Sequence, residues 1–238
     1  RTQFGGIFLF LPYLVRIPLD EILHEAGFPG SKMIPAAHAI RSLLALKLFG
    51  NARHSHVKGN IVKAVLAGAA EEGSKEFYIG YKSLIECGTP AEGAAFVVLE
   101  KGSEVIKRGI RPLAKISGRS SRTIKSDDSA KVKKLVNIMQ EALDDAQLVA
   151  SDIEVVFLSH NGSKSAQEVE KEALSGLFCK KIPKMVGGPK PFGDTYSAGG
   201  LMQLVAAIPL LKDYKKILIN AFGNTGNCAT LIIESPEN

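Results

Sequence analysis

Apolar positions fall into a few short blocks near the start of the chain, then alternate between helix-length and strand-length runs. The first block, Phe4 to Val15, spans 12 residues and contains Pro12. A membrane-spanning helix needs ~20 apolar residues, so this run reads as a buried helix. No small-residue cleavage site follows it, and Arg16 and Ile17 come next, which is unlike a signal peptide. Pro18 to Leu23 starts a second helix with Asp20 and Glu21 in its first turn, and Gly27-Phe28-Pro29-Gly30 ends it. Pro35 opens a third, in which Ile40, Leu43, Leu44 and Leu46 to Leu48 keep helical spacing up to Gly50. Further on, Ile61, Val62, Val65, Leu66, Ala69 and Ala70 predict a helix ended by Gly73, and Phe77-Tyr78-Ile79 a short strand. Ala94 to Leu99 is an apolar run fit to be a strand buried on both faces. Leu113 to Ser117 predicts another strand. Val132, Leu135, Val136, Met139, Ala142 and Leu143 predict an amphipathic helix capped by Ser126 to Ser129. Then follow a strand at Glu154 to Leu158, a helix at Gln167 to Phe178 and a strand at Lys184 to Val186. A helix at Gly199 to Leu211 precedes two strands, Lys216 to Ile219 and Ala229 to Ile233. The last two are separated by a polar, glycine-rich loop and are expected to pair antiparallel. The pattern is that of a layered α/β domain around a largely buried sheet.

Composition divides this picture in two. The 238 residues are 45% apolar and 23% charged, with a net charge of +6, which excludes a disordered chain or a collagen-like fibre. Residues 1–57 hold six of the 30 basic and three of the 24 acidic residues, half of the charge excess in a quarter of the chain. That asymmetry suggests two unlike pieces, a helical segment at 1–57 and an α/β domain at 58–238. Three scattered cysteines, Cys87, Cys179 and Cys228, form no disulfide framework and no CxxC pair, so a cytoplasmic location is expected. His54-x-His56 has no third ligand nearby and reads as a polar turn, so no metal is expected. Gly187-Gly188-Pro189-Lys190 lacks the spacing of a phosphate-binding loop, and no G-x-S-x-G elbow is present.

Two resemblances follow from particular residues. Glu25 to Lys32 together with Leu46 to His56 resembles the N-terminal region of insertion-sequence transposases, without catalytic carboxylates. Residues 58–238 resemble the β-ketoacyl synthases, condensing enzymes of fatty-acid and polyketide synthesis with the thiolase fold. The motifs run in order: Ala91 to Glu100, a glycine-rich turn entering a strand; Lys107 to Gly118; Ser159-His160-Asn161-Gly162-Ser163, followed by Glu168 and Glu172; Gly193 to Gly200; and Ala221 to Asn227. The fold implied is a partial thiolase-like α/β fold with a mixed sheet, preceded by the short helical segment.

The resemblance also says what chemistry to look for. Such an enzyme needs a cysteine thiolate to take an acyl group, and two neutral donors to hold the malonyl thioester oxygen as charge builds on it. The nucleophile opens a buried helix, whose dipole lowers the thiol pKa. The helix predicted at Gly59 to Ala70 is the counterpart, and its start, Ser55 to Lys58, has no cysteine. His160 stands at the first histidine position, and Asp194 replaces the second. An ordinary aspartate is ionised at neutral pH and only accepts hydrogen bonds. Lys190 lies one residue short of a site lysine, where it would pair with Asp194. Phe222, Gly223 and Asn224 match the closing substrate loop. Cys87 and Cys228 do not open a helix and read as ordinary thiols.

The resemblance implies an acyl carrier protein and a catalytically competent synthase subunit as partners, no cofactor, no membrane, and a chain inactive alone. Half of a thiolase fold would expose an apolar face, so an oligomer is expected. Two other readings compete. Residues 1–57 could belong to a DNA-binding or transposition protein, although the third helix carries only Arg41 and Lys47, which makes nucleic acid a poor partner. The chain could also be a fusion product of mobile-element insertion with no function as a unit.

Overall fold

The most apolar strands form the centre of the molecule. The computed structural model describes residues 8–10, 64–71, 90–100, 102–125, 129–159, 164–179, 181–187, 193–195, 198–223 and 226–236. The strands are β1 (Phe8–Phe10), β2 (Ala64–Glu71), β3 (Gly93–Glu100), β4 (Lys115–Thr123), β5 (Val155–Leu158), β6 (Lys184–Gly187), β7 (Lys216–Phe222) and β8 (Asn227–Glu234). The helices are α1 (Gly102–Lys107), α2 (Lys131–Ala146), α3 (Lys164–Phe178) and α4 (Gly199–Ala207).

A five-stranded sheet has the order β4-β8-β7-β5-β6. β5 runs parallel to β6 and β7, whereas β8 runs antiparallel to both β7 and β4. The antiparallel β7–β8 pair and the mixed sheet agree with expectation. Successive residues of a strand point to opposite faces, and both faces here are covered. Val156, Leu158, Leu218 and Ile232 pack with Leu135, Ile138, Met139 and Leu143 of α2 and with Ala173, Leu174 and Leu177 of α3. Val155, Phe157, Ile217, Ile219, Leu231 and Ile233 pack on the opposite face with Leu201, Leu204, Val205 and Ala207 of α4.

The far side of α4 meets a second sheet. Ala67, Ala95 and Val97 of β2 and β3 join the same core cluster. This sheet is antiparallel throughout, in the order β1-β3-β2, with Phe8 opposite Phe96 and Ala64 opposite Glu100. α4 is therefore covered by sheet on two sides, which explains why Gly-Gly-Leu-Met-Gln-Leu-Val-Ala-Ala is apolar nearly all round.

Several expectations are corrected. The helix predicted over Ile61 to Ala70 is a strand where it is described, pairing residue for residue with β3. Alanine and glycine carry little periodic signal, and cross-strand pairing outweighs alanine's helix propensity. Gly68 belongs to the pairing: a Cβ there would lie 2.2 Å from the Phe96 ring, which covers the glycine from the opposite strand. Phe8–Phe10, inside the first predicted helix, is also a strand. β3 is not buried on both faces, since only Ala95 and Val97 are fully covered. α2 has Ala130 at its N-cap, with no side-chain cap bond. α4 ends at Ala207, where Pro209 turns the chain into a 3-10 stretch, Ile208–Lys212. β4 runs on to Thr123, past a bulge between Ile116 and Gly118. The strand at Phe77–Ile79, the helices at Pro18–Leu23 and Pro35–Gly50, and the pair His54 and His56 lie outside the described residues.

Gly118 lies where β4 is pressed against the α2 backbone. A Cβ on it would lie 2.1 Å from the Ala142 carbonyl oxygen and 2.7 Å from the Ala146 Cβ. Backbone cannot yield as a side chain can, so Gly118→Val should destabilise the fold by about 3 kcal/mol. Urea unfolding of both proteins checks this, and an unchanged midpoint would contradict the packing.

Candidate functional site

Strands β5 and β7 part company at their C-terminal ends. Their ladder runs from Val155 opposite Ile217 to Phe157 opposite Ile219 and goes no further. Beyond it, side chains take over the work of the ladder. Glu170, on α3, is 1% exposed and reaches into the gap. Its two carboxylate oxygens accept the Ser159 backbone N–H at 2.9 and 3.1 Å. Its Oε1 also accepts from Asn220 Nδ2 at 3.1 Å. Asn220 Oδ1 in turn accepts from Thr230 Oγ1 at 2.8 Å, and Asn220 Nδ2 approaches Met139 Sδ at 3.5 Å. Asn220 is fully buried and Thr230 nearly so, and a buried polar group costs free energy unless it is bonded. The Phe222 N–H donates to Ser159 Oγ, and the Ser159 hydroxyl can return a bond to the Phe222 carbonyl at 3.3 Å.

A second group of contacts gathers the loop ahead of α4. Asp194 is 9% exposed, forms an isolated parallel bridge with Pro90, and its carbonyl accepts the Ala91 N–H at 2.9 Å. Thr195 is buried beside it, and its carbonyl accepts the Ala198 N–H at 2.8 Å. A Cβ on Gly93 would touch Thr195 Cγ2 at 3.0 Å, so the glycine lets the turn into β3 approach this loop. Two motifs about a hundred residues apart, Ala91 to Glu100 and Gly193 to Gly200, thus meet. From α4, Gln203 Nε2 donates to the Leu158 carbonyl at 2.6 Å and ties the helix to the end of β5.

The closing hairpin is fixed by backbone bonds. The Gly223 N–H donates to the Asn227 carbonyl at 2.7 Å, and the Gly226 N–H to the Gly223 carbonyl at 3.0 Å. Gly226 has φ +86°, and a Cβ there would lie 1.9 Å from the Ile124 carbonyl oxygen, so only glycine suits the position.

Of the residues singled out from the sequence, Phe222 is joined to Ser159, Gly223 lies in the closing turn, and Asp194 heads the loop into α4. His160, Lys190 and Asn224 lie outside the described residues, as does Cys87. The strand at Ala64–Glu71 removes the predicted nucleophile helix from that stretch. Sequence reading named Glu168 and Glu172 but missed Glu170, Asn220 and Gln203. The signal was present: Glu170 lies on the helical stripe of Ala173, Leu174 and Leu177, and Asn220 interrupts the apolar run of β7. Among the described residues no group of three or more His, Cys, Asp or Glu could hold a metal ion, and no helix is long and apolar enough to cross a membrane.

The two described thiols differ in environment. Burial pushes the Cys228 thiol up to about 11 from an ordinary 9.0; nearby Lys131 opposes this and Glu170 adds to it. Cys179 is exposed at the end of α3 with φ 51°. With its proton held more tightly in the fold, Cys228 disfavours the folded state as pH rises from about 9 towards 11. Peptide-resolved iodoacetamide labelling of the native chain at pH 7.5 should modify Cys179 and spare Cys228 until the fold opens. Labelling of Cys228 at the rate of Cys179 would contradict its burial.

Comparison with known proteins agrees with this geometry. Residues 114–217 match the family model for the β-ketoacyl synthase C-terminal domain. A polyketide biosynthesis malonyl-ACP decarboxylase of Bacillus subtilis (strain 168) is 26% identical over 126 residues, 51% of this chain and 29% of that protein. The tetracenomycin polyketide synthase ketoacyl synthase beta subunit of Streptomyces glaucescens is 22% identical over 185 residues, 75% of this chain and 45% of that protein. The chain thus spans less than half the length of these curated relatives. A β-ketoacyl synthase from Burkholderia phymatum STM815 superposes with a TM-score of 0.72 at 20% identity, over 81% of this chain and 59% of that one. A type II PKS ketosynthase, solved in complex with its acyl-carrier protein, gives 0.76 at 16% identity, over 92% of this chain and 66% of that one. The mixed sheet, the layered helices and these matches support a β-ketoacyl synthase C-terminal portion on a thiolase-like α/β fold.

Proposed function

We propose that the chain is a β-ketoacyl-synthase-type subunit of polyketide or fatty-acid assembly that lacks its own acyl-accepting nucleophile and works beside a competent synthase and an acyl carrier protein. One observation carries the reading: the strand-end framework is built and bonded, yet the stretch leading into β2 at Ser55 to Lys58, where the resemblance puts the nucleophile, holds no cysteine. All three thiols come after it, and Cys228 is buried with its proton held tightly. Relatives named as a malonyl-ACP decarboxylase and as a ketoacyl synthase beta subunit support this class of function.

On this reading His160 follows the fixed Ser159 and offers an N–H to the malonyl thioester oxygen. Charge builds on that oxygen as the carboxylate departs as carbon dioxide, and an aimed donor stabilises it. Asp194, in the second position, supplies an acceptor instead of a donor when ionised, so the oxyanion is held by one donor fewer. Lys190 would offset the charge of Asp194. Phe222, Gly223 and Asn224 would line the substrate side. The Gly223 N–H is already engaged with the Asn227 carbonyl. Loss of a single oxyanion donor costs roughly a hundredfold to a thousandfold in turnover.

Incubation with malonyl-carrier protein tests the proposal. The chain alone should form no covalent acyl adduct, and Asp194→His should raise decarboxylation by about a hundredfold. Robust acyl transfer by the unaltered chain would overturn it. The division at residue 57, with a transposase-like or fused N-terminal piece, has its own test in limited proteolysis. A stable fragment beginning near residue 58 would support a joined, separate piece. Protection of residues 1–57 would favour a segment built into the fold, as the pairing of Phe8–Phe10 with β3 suggests.

A further inference from the structure

The amide unit between Leu158 and Ser159 is held by two side chains from opposite faces of the sheet. Its carbonyl accepts from Gln203 Nε2 at 2.6 Å, and its N–H donates to Glu170 at 2.9 and 3.1 Å. Gln203 comes from α4, on the face of Val155 and Phe157, and Glu170 from α3, on the face of Val156 and Leu158. The peptide lies past the last β5–β7 pair, so that ladder no longer fixes it, and the strand contact that remains is the Leu158–Gly187 pair with β6. Gln203 is also the only polar side chain in the sequence of α4. Its Oε1 is buried and, among the described residues, has no partner. Leaving an amide oxygen unsatisfied between two sheets is costly, and an apolar side chain would pack there without that cost. What the amide supplies, and an apolar side chain cannot, is the N–H to Leu158.

We propose that Gln203 is a positioning residue: with Glu170 it clamps the Leu158–Ser159 peptide and so fixes the direction in which the chain leaves β5. The residue that follows is His160. The clamp stands on the geometry above, whereas its functional weight rests on the synthase-type reading.

The donor is the element to test. Gln203→Glu keeps the shape and removes the donor while the new carboxyl is ionised, leaving two acceptors facing each other. Once protonated, its O–H can donate to the Leu158 carbonyl and restore the clamp. Gln203→Leu removes the donor at every pH. In the unaltered, 15N- and 13C-labelled full chain, a scalar coupling across the hydrogen bond should link Gln203 Nε2 to the Leu158 carbonyl carbon. In Gln203→Glu the Ser159 amide should exchange as in the unaltered chain at low pH, and about tenfold faster relative to its intrinsic rate at pH 8. In Gln203→Leu it should exchange faster at both. No coupling in the unaltered chain would overturn the proposal without any variant needing to fold. Gln203→Glu behaving like the unaltered chain at both pH values would also overturn it, since the residue would then only fill space. Where decarboxylation is measured, Gln203→Glu at pH 8 should lower kcat and leave KM unchanged, and an unchanged kcat would refute the positioning role. Coupling and pH-dependent exchange in a chain that gives no decarboxylation even beside a competent synthase and an acyl carrier protein would support the clamp and count against the synthase reading.

Discussion

A single carboxylate at the end of a buried strand ties together the described elements around the five-stranded sheet. Parallel strands β5 and β7 diverge after Phe157 and Ile219, and divergence leaves backbone groups on the facing sides without a ladder, while β5 stays paired with β6 through Leu158. Glu170 closes that gap. It takes the Ser159 N–H with both oxygens and Asn220 with one, and Asn220 passes the connection to Thr230 on β8. Helix α3 and strands β5, β7 and β8 are thereby tied at one point. A network of this kind is stabilising only when its members are satisfied together, so it selects one arrangement of the strand ends.

The same point explains how the fold presents a site. Apolar packing sets the layers, because it covers both faces of the five-stranded sheet and both sides of α4. It does not decide where a strand stops or which way the chain turns next. Those decisions fall to a few polar side chains placed at apolar positions. Glu170 and Gln203 reach the same peptide from opposite faces. Ser159 Oγ meets Phe222, and the loop at Asp194 is bonded to Ala91. These bonded strand ends are the described framework of the candidate site.

Much of this was legible in the residues. Val155 to Leu158 and Ile217 to Ile219 are β-branched or apolar on both faces and read as buried strands, and the α2 stripe of Leu135, Met139, Ala142 and Leu143 announces its core face. The stretch at Ala64–Glu71 misled because alanine and glycine look alike at any period, and its partner strand lies more than twenty residues away. Gly68, unfavourable inside a helix, was the available clue. Phe8–Phe10 misled for a related reason: an apolar run without alternation gives no period, and pairing with β3 decided it. At the site, family likeness drew attention to His160, Asp194 and Lys190. The residues that shape the site betray themselves differently, as polar side chains inside otherwise apolar patterns. Glu170, Asn220 and Gln203 all fit that description.

The claim that the Glu170 network holds the strand ends together is tested most directly by a double-mutant cycle. Glu170→Gln, Asn220→Leu and the double variant would be unfolded in urea alongside the unaltered chain. The account predicts non-additivity of about 1.5 kcal/mol or more, the double variant losing less than the sum of the singles. Strict additivity would contradict it, since the two side chains would then stabilise the fold independently.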